Sequence, residues 1–294
     1  MTLRVRLVCL KVLIFSALGN VAFSQGDIGI ILGISNYQGE LASYSTANGF
    51  NALVGPVFGV HGGYALNPRF QLRGDLLYTR LSGDDAINDK EITRMRNLNF
   101  FTPVVQLAGG IDWNVLGFDV RDAKAFTPYA TAGASLFYMN PMTTYEGKKI
   151  ALRPLGTEGQ YLDDYPEQKP YNRLQPSLQF GGGLKLLTGG FIIALEAMLS
   201  YTFTDYIDDV STIYITYPEL YEKAGPLTAA LANRTGEYLG TEPVVLGTGS
   251  LRGNPENKDL FGVITLRLGI PLEFNSKQVK VRGIGSKTVK CPKF

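Results

Sequence analysis

Eight stretches of this chain alternate apolar and polar residues, and the links between them sort into two length classes by an odd–even rule. The stretches are residues 27–37, 54–66, 70–81, 98–116, 128–138, 176–187, 191–204 and 259–272. A period of two marks a β-strand with two unlike faces. After the second and sixth stretches come the tight links Asn67-Pro68-Arg69 and Thr188-Gly189-Gly190, and after the fourth a modest one, residues 117–127. After the first, third, fifth and seventh come the long links 38–53, 82–97, 139–175 and 205–258. In an up-and-down barrel every odd-numbered strand ends on the same rim, so short turns would gather at one rim and long loops at the other. Outer-membrane barrels have that asymmetry, with the long loops outside the cell. A soluble β-sandwich has no reason to sort its loops so. The expected fold is all-β: an eight-stranded antiparallel up-and-down transmembrane β-barrel with short periplasmic turns and long extracellular loops.

The alternation is explicit in several strands. Phe191, Ile193, Leu195, Ala197, Leu199, Tyr201 and Phe203 oppose Ala194, Glu196, Ser200 and Thr202. Phe70, Leu72, Leu76 and Tyr78 oppose Gln71, Arg73, Asp75 and Thr79. Alternation by itself does not say which face meets lipid; the loop sorting decides for apolar outward. Composition agrees: Tyr 16, Phe 16 and Gly 34 with charged residues at 18 % suit a wall that faces lipid. No apolar run after residue 24 approaches the roughly 20 residues of a membrane helix.

Arg4, Arg6 and Lys11 precede an apolar run at 12–21 and the small-residue pattern Ala22-Phe23-Ser24. Residues 1–24 read as an export signal, with cleavage after Ser24, leaving 25–272 as the barrel and 273–294 as a basic periplasmic tail. Cys9 then leaves with the signal, and Cys291 stands alone, so an internal disulfide and a cysteine metal site are both excluded.

The inward face is expected to gather His61, Arg73, Asp75, Asp112, Lys185, Glu196 and Arg267. Eight strands leave room only for side chains or one small ligand, so the first reading is a plug of mutually paired charges. Three alternatives stay open: Asp75 and Glu196 as an acid–base pair, His61 as a base or ligand, and a polar pore lining. The chain has a single histidine, and neither a nucleophile elbow nor a phosphate loop is present. No catalytic residue, metal, cofactor or nucleic-acid partner is expected, and the chain is read as a non-enzyme.

The tail carries Lys277, Lys280, Arg282, Lys287, Lys290 and Lys293 and no acidic residue after 273. It reads either as a solvated basic extension touching anionic lipid or as a docking segment, with Cys291 available for pairing between chains. In the fourth long loop a short helix is expected within 217–233, around Leu220, Leu227 and Leu231. Tyr145, Tyr161, Tyr165 and Tyr171 of the third long loop and Tyr206, Tyr214, Tyr217, Tyr221 and Tyr238 of the fourth suit loops packed over the barrel mouth, or a partner surface.

Gly33-Ile34-Ser35-Asn36-Tyr37-Gln38-Gly39-Glu40-Leu41, Arg96-Asn97-Leu98-Asn99-Phe100 and the Cys291-Pro292 tail resemble the PorG-like outer-membrane proteins of Bacteroidetes. The resemblance spans most of the barrel. It implies a component of the type IX protein secretion machinery, linked to gliding motility, whose barrel meets a periplasmic ring of a PorK-like lipoprotein and a PorN-like protein. The other reading is a generic small porin-like or adhesion barrel with no secretion role.

Overall fold

The computed structural model describes residues 25–42, 52–122, 125–275 and 278–281. The expected signal segment 1–24 lies outside the described residues. Eight long strands form the wall: β1 (Gln25–Gln38), β2 (Val54–Ala65), β3 (Phe70–Asp84), β4 (Asn99–Asn114), β5 (Ala125–Met139), β8 (Leu174–Thr188), β9 (Phe191–Thr202) and β10 (Leu260–Asn275). The third long loop contributes a small hairpin, β6 (Met142–Tyr145) and β7 (Lys148–Ala151), and β11 (Gln278–Val281) follows β10. Each wall strand pairs antiparallel with its neighbours in the order β3-β2-β1-β10-β9-β8-β5-β4, and a β3–β4 ladder closes the ring. Closure leaves no wall edge unpaired, which a lipid-embedded sheet requires.

The short-turn rim is built as the residue types dictate. Asn67 Oδ1 accepts from the Arg69 and Phe70 amides at 2.8 and 2.9 Å, closing the β2–β3 turn with a side chain. Between β8 and β9, Gly189 and Gly190 sit at φ 58° and 81°, the mirror-image turn conformation that right-twisted hairpins favour and glycine adopts freely. Gln25 pairs with both Ala65 and Glu273, so the first strand starts and the last strand ends at this same rim.

The outer wall is apolar. Ile28, Ile30, Leu32 and Ile34 of β1, Leu72, Leu76 and Tyr78 of β3, Val105, Leu107 and Ile111 of β4, Leu195, Leu199 and Tyr201 of β9 and Ile264, Leu266 and Leu268 of β10 all face outward and are exposed. Aromatic residues ring both ends: Phe70, Trp113, Phe126 and Phe191 near the short turns, Tyr138, Tyr201 and Phe203 near the long loops. Two aromatic girdles around an apolar band are the surface of a transmembrane barrel.

Inside, the strong curvature depends on close backbone approach. A Cβ on Gly133 would lie 2.4 Å from the Gly109 carbonyl oxygen and 2.9 Å from the Gly110 Cα. Gly133 pairs with Gly110, which itself pairs with Arg73, so the glycines clear the space that the Arg73 side chain enters.

Strand ends shift by up to three residues from those read in the sequence, and three departures matter for the architecture. β10 runs through Asn275 rather than ending at 272, and β11 doubles back antiparallel on it, pairing Leu272 with Val281; ladder formation continues past the last clear alternation. β3 extends to Asp84 because β4 continues opposite it to Asn99. The helix expected within 217–233 is two helices, Tyr217–Ala224 and Pro226–Ala232. They break at Gly225, where φ is 93°, because Pro226 lacks the amide that would continue the first helix.

Candidate functional site

The interior is stacked in three layers. Nearest the short turns, the link after β4 folds under the barrel, and Phe118 and Val120 pack against Leu187 and Ile192 as a floor. The Phe118 amide donates to the Pro68 carbonyl at 2.7 Å, holding that floor in place.

Above the floor lies the charged layer. The structure brings His61, Arg73, Asp75, Asp112, Lys185, Glu196 and Arg267 together, all buried. Arg73 is the hub. Its Nε and Nη2 donate to Asp75 Oδ2 at 2.9 and 2.6 Å, Nη1 and Nη2 donate to Glu196 at 2.6 and 3.0 Å, and Nη1 also reaches Asp112 and Thr131 at 3.2 Å each. Lys185 Nζ donates to Gln71 Oε1 at 2.7 Å and lies 3.2 Å from Asp112. His61 stands between two carboxylates, with Nδ1 2.6 Å from Asp75 and Nε2 3.2 Å from Asp27. His61 thus links two carboxylates, and Arg73, Lys185 and Arg267 lie among Asp27, Asp75, Asp112 and Glu196. Arg267 Nη1 approaches both ring nitrogens of His61, at 3.0 and 2.9 Å, and Tyr129 donates to Glu196 at 2.6 Å.

This geometry bears on the alternatives. Asp75 and Glu196 are clamped by the same guanidinium, so neither is poised as a free base. The partners of His61 are two carboxylates and an arginine, none a nucleophile. The void beside Arg73, Thr131, Gln179 and Met198 has no room for a water molecule, so the layer is closely packed there.

Asp27, Asn114 and Tyr129 join this layer beyond the residues expected in it, as does Gln71 from the polar face already read for β3. Gln71 donates to Asp27, and Asn114 lies 3.3 Å from Lys185. Asp27 shares the inward face of β1 with Ile31 and Ser35, a parity readable in the strand but masked by its place at the first residue of the alternating stretch.

The third layer was not expected. Toward the long loops the lumen is filled by Ile31, Val57, Leu77, Leu81, Val104, Phe137, Met139, Phe261 and Val263, all buried. This fill is mixed with neutral polar side chains that bond to one another: Thr79 donates to Ser35 at 2.7 Å, Gln106 to Ser135 at 2.9 Å, and Ser135 lies 2.6 Å from Ser177. The loops bring Ile207 and Val210 down onto the apolar part of this fill.

The long loops cap this fill. Buried Glu158 of the third long loop accepts from the Ser211 amide at 2.8 Å, the Thr212 hydroxyl at 2.7 Å and Arg252 at 2.9 Å, all from the fourth. Tyr171 stacks on Tyr206 with centroids 4.6 Å apart, and its hydroxyl donates to Asp209 at 2.6 Å. Burial pushes Asp209 up to about 7. Tyr165 and Tyr217 pack around the helices of the fourth loop and Tyr214 is buried, whereas Tyr161, Tyr221 and Tyr238 remain exposed.

Carboxylates crowd where the cap meets the barrel. The Tyr37 hydroxyl lies 2.8 Å from Asp208 and 2.6 Å from Asp259. One hydroxyl proton serves one carboxylate, so the second contact needs a proton on a carboxyl group. Burial first, and then neighbouring acidic charge, raises both Asp208 and Asp259. Asp205 is pushed up to about 8 by burial and by Glu40.

Of the tail residues, Lys280 falls on β11, whose backbone pairs it with Glu273. Lys277, Arg282, Lys287, Lys290, Cys291 and Lys293 lie outside the described residues.

These features define the class: a transmembrane eight-stranded barrel with a sealed lumen and a folded cap. The chain belongs to the family described as a domain of unknown function, DUF6089, whose profile matches residues 5–220. No curated protein sequence matches it. Among solved structures it is similar to Ail, the attachment invasion locus protein of Yersinia pestis, at 12 % identity and a TM-score of 0.37, over 84 % of this chain and 98 % of that one. It is also similar to Neisserial surface protein A, at 10 % identity and TM-score 0.38, over 85 % and 97 %. The outer membrane protein OprG from Pseudomonas aeruginosa is 8 % identical with TM-score 0.42, over 85 % and 97 %.

Proposed function

We propose that this barrel is a non-catalytic outer-membrane component of the type IX secretion machinery, contacting a periplasmic ring through its short-turn rim and basic tail. The observation that carries the reading is the sealed lumen. A barrel plugged by paired charges and apolar side chains neither conducts nor binds a ligand inside, so its working surfaces are its two rims. The chain leaves β10 at the short-turn rim and turns back there through β11. The tail's run of lysines and arginines is suited to an acidic partner surface.

Two of the three segments that carry the PorG-like resemblance, 33–41 and 96–100, also meet in space. Tyr37 packs edge-on against Phe100 at 4.8 Å, and Arg96 ties the Glu40 carbonyl, at 2.9 Å, to Asp85. They form one structural unit at the mouth, which supports reading them as one motif.

The test is purification of the full chain from detergent-solubilised outer membranes, with and without residues 277–294. Recovery of PorK-like and PorN-like proteins with the full chain, and their loss on deletion, is the expected result. Equal recovery in both preparations removes the tail from the contact, and recovery in neither removes the secretion role. An adhesion reading is favoured by one feature, the apolar residues Tyr221, Leu239, Val245 and Leu251 exposed on the cap. Binding of whole cells to host or neighbouring cells that is lost on replacing these residues would decide for it.

A further inference from the structure

We propose that Glu40, Asp205 and Asp259 bind a divalent cation, with Ca²⁺ the ion that fits, where the cap joins the barrel. The carboxylate oxygens of these three residues lie within 4.8 Å of one another. A Ca²⁺ ion sits about 2.3–2.6 Å from its oxygens and accepts irregular geometry, so it spans ligands up to about 5 Å apart, which covers this spacing. Three acidic side chains alone would not make a site. The independent observation is Asp205: it is 3 % exposed, and neither of its carboxylate oxygens has a hydrogen-bond partner. Glu40 Oε2 is likewise buried without a partner. Buried oxygens facing other carboxylates, with no donor, are expensive to leave so, and a hard cation satisfies all of them at once.

The surrounding bonds orient the ligands. Glu40 Oε1 accepts from the Asn254 amide at 3.2 Å, which leaves Oε2 turned inward. Asp259 accepts from Tyr37 through Oδ1 and from the Ile207 amide, at 2.8 Å, through Oδ2, and each oxygen keeps a second lone pair. The nearby basic groups are engaged elsewhere: Lys258 donates to the Pro255 carbonyl, and Arg96 to Asp85 and to the Glu40 carbonyl. An open cleft lined by Gly39, Glu40, Asn254 and Lys258 gives solvent access to the Glu40 end. Glu40 follows β1, Asp205 follows β9 and Asp259 precedes β10, so one ion would tie the first loop to both ends of the fourth. This assignment does not rest on the secretion reading.

The experiment is calorimetric titration of Ca²⁺ into the full chain, refolded in zwitterionic detergent and stripped with a chelator. One Ca²⁺ per chain is expected, with a Kd of about 10⁻⁴–10⁻³ M, as in extracellular modules. Asp205→Asn and Glu40→Gln should each weaken binding by at least about tenfold, while Asp164→Asn, on the cap surface, leaves it unchanged. Heat-modifiable gel mobility establishes that each variant is folded. A second readout needs no variant: Tb³⁺ in the site should show emission sensitised by Tyr37 and displaced by Ca²⁺. The proposal is overturned by no Ca²⁺ binding at several times that concentration, by folded Asp205→Asn and Glu40→Gln that both bind as the parent does, or by no Ca²⁺-displaceable Tb³⁺ emission.

Discussion

Replacing Arg73 with methionine should destabilise the barrel more than any other single change in its lower lumen. The substitution keeps much of the stem that passes the glycine pair but removes six hydrogen bonds: two to Asp75, two to Glu196 and one each to Asp112 and Thr131. The carboxylates of Asp75 and Glu196 are then left buried without their main cation. Breaking a buried ion network from one side costs about 3–5 kcal/mol, because the surviving charges stay desolvated. Exchanging the whole group for neutral side chains costs much less. Arg73→Met combined with Asp75→Asn and Glu196→Gln should therefore recover at least about 2 kcal/mol of the loss. The assay is urea unfolding of the protein in phospholipid vesicles, followed by the fluorescence of Trp113, the single tryptophan. Trp113 is 46 % exposed on the outer wall, so it moves from lipid to water as the barrel unfolds. A loss below about 1 kcal/mol for Arg73→Met, or a triple variant no more stable than the single one, would refute the view that Arg73 is the electrostatic hub.

Three further outcomes follow from the layers. Reconstituted in a planar bilayer, the chain should show no steady conductance, because the apolar fill and charged seal occupy the lumen; single-channel steps would contradict it. Arg252→Met should strip buried Glu158 of its cation and loosen the cap without opening the wall. Limited proteolysis should then cut within 205–258 at least about tenfold faster while the barrel core stays resistant. Burial raises Asp209 from 3.8 to about 7, so folding favours its neutral form. Its contribution is complete below about pH 4 and is lost as pH rises through 7. Hydrogen exchange of amides 207–212, corrected for intrinsic rate, should show at least about tenfold less protection at pH 8 than at pH 5; unchanged protection would remove Asp209 from the account.

The barrel itself was legible because its rules are local. Side chains alternate across a strand whatever lies beside it, so the inward parity of Arg73, Asp75, Asp112, Lys185, Glu196 and Arg267 and the outward parity of Leu195 or Ile264 could be read one residue at a time. Loop length is likewise a property of the chain alone, and it separated the two rims. The small hairpin β6–β7 was not legible, since four-residue polar strands carry no periodic signal; it shows only through the Glu146-Gly147 turn, with both residues at positive φ.

What the tertiary structure decided is which inward residues meet. Parity says that Ile31, Val57, Phe137 and Phe261 point to the axis, but only strand stagger and barrel closure set their height, which gathers them above the charges. Glu40, Asp205 and Asp259 stand in loops with no period to read, and they converge because the closed ring brings β1 beside β10 and β10 beside β9. Alternation is written into the covalent geometry of each strand, whereas registry between strands far apart in sequence exists only once the ring has closed.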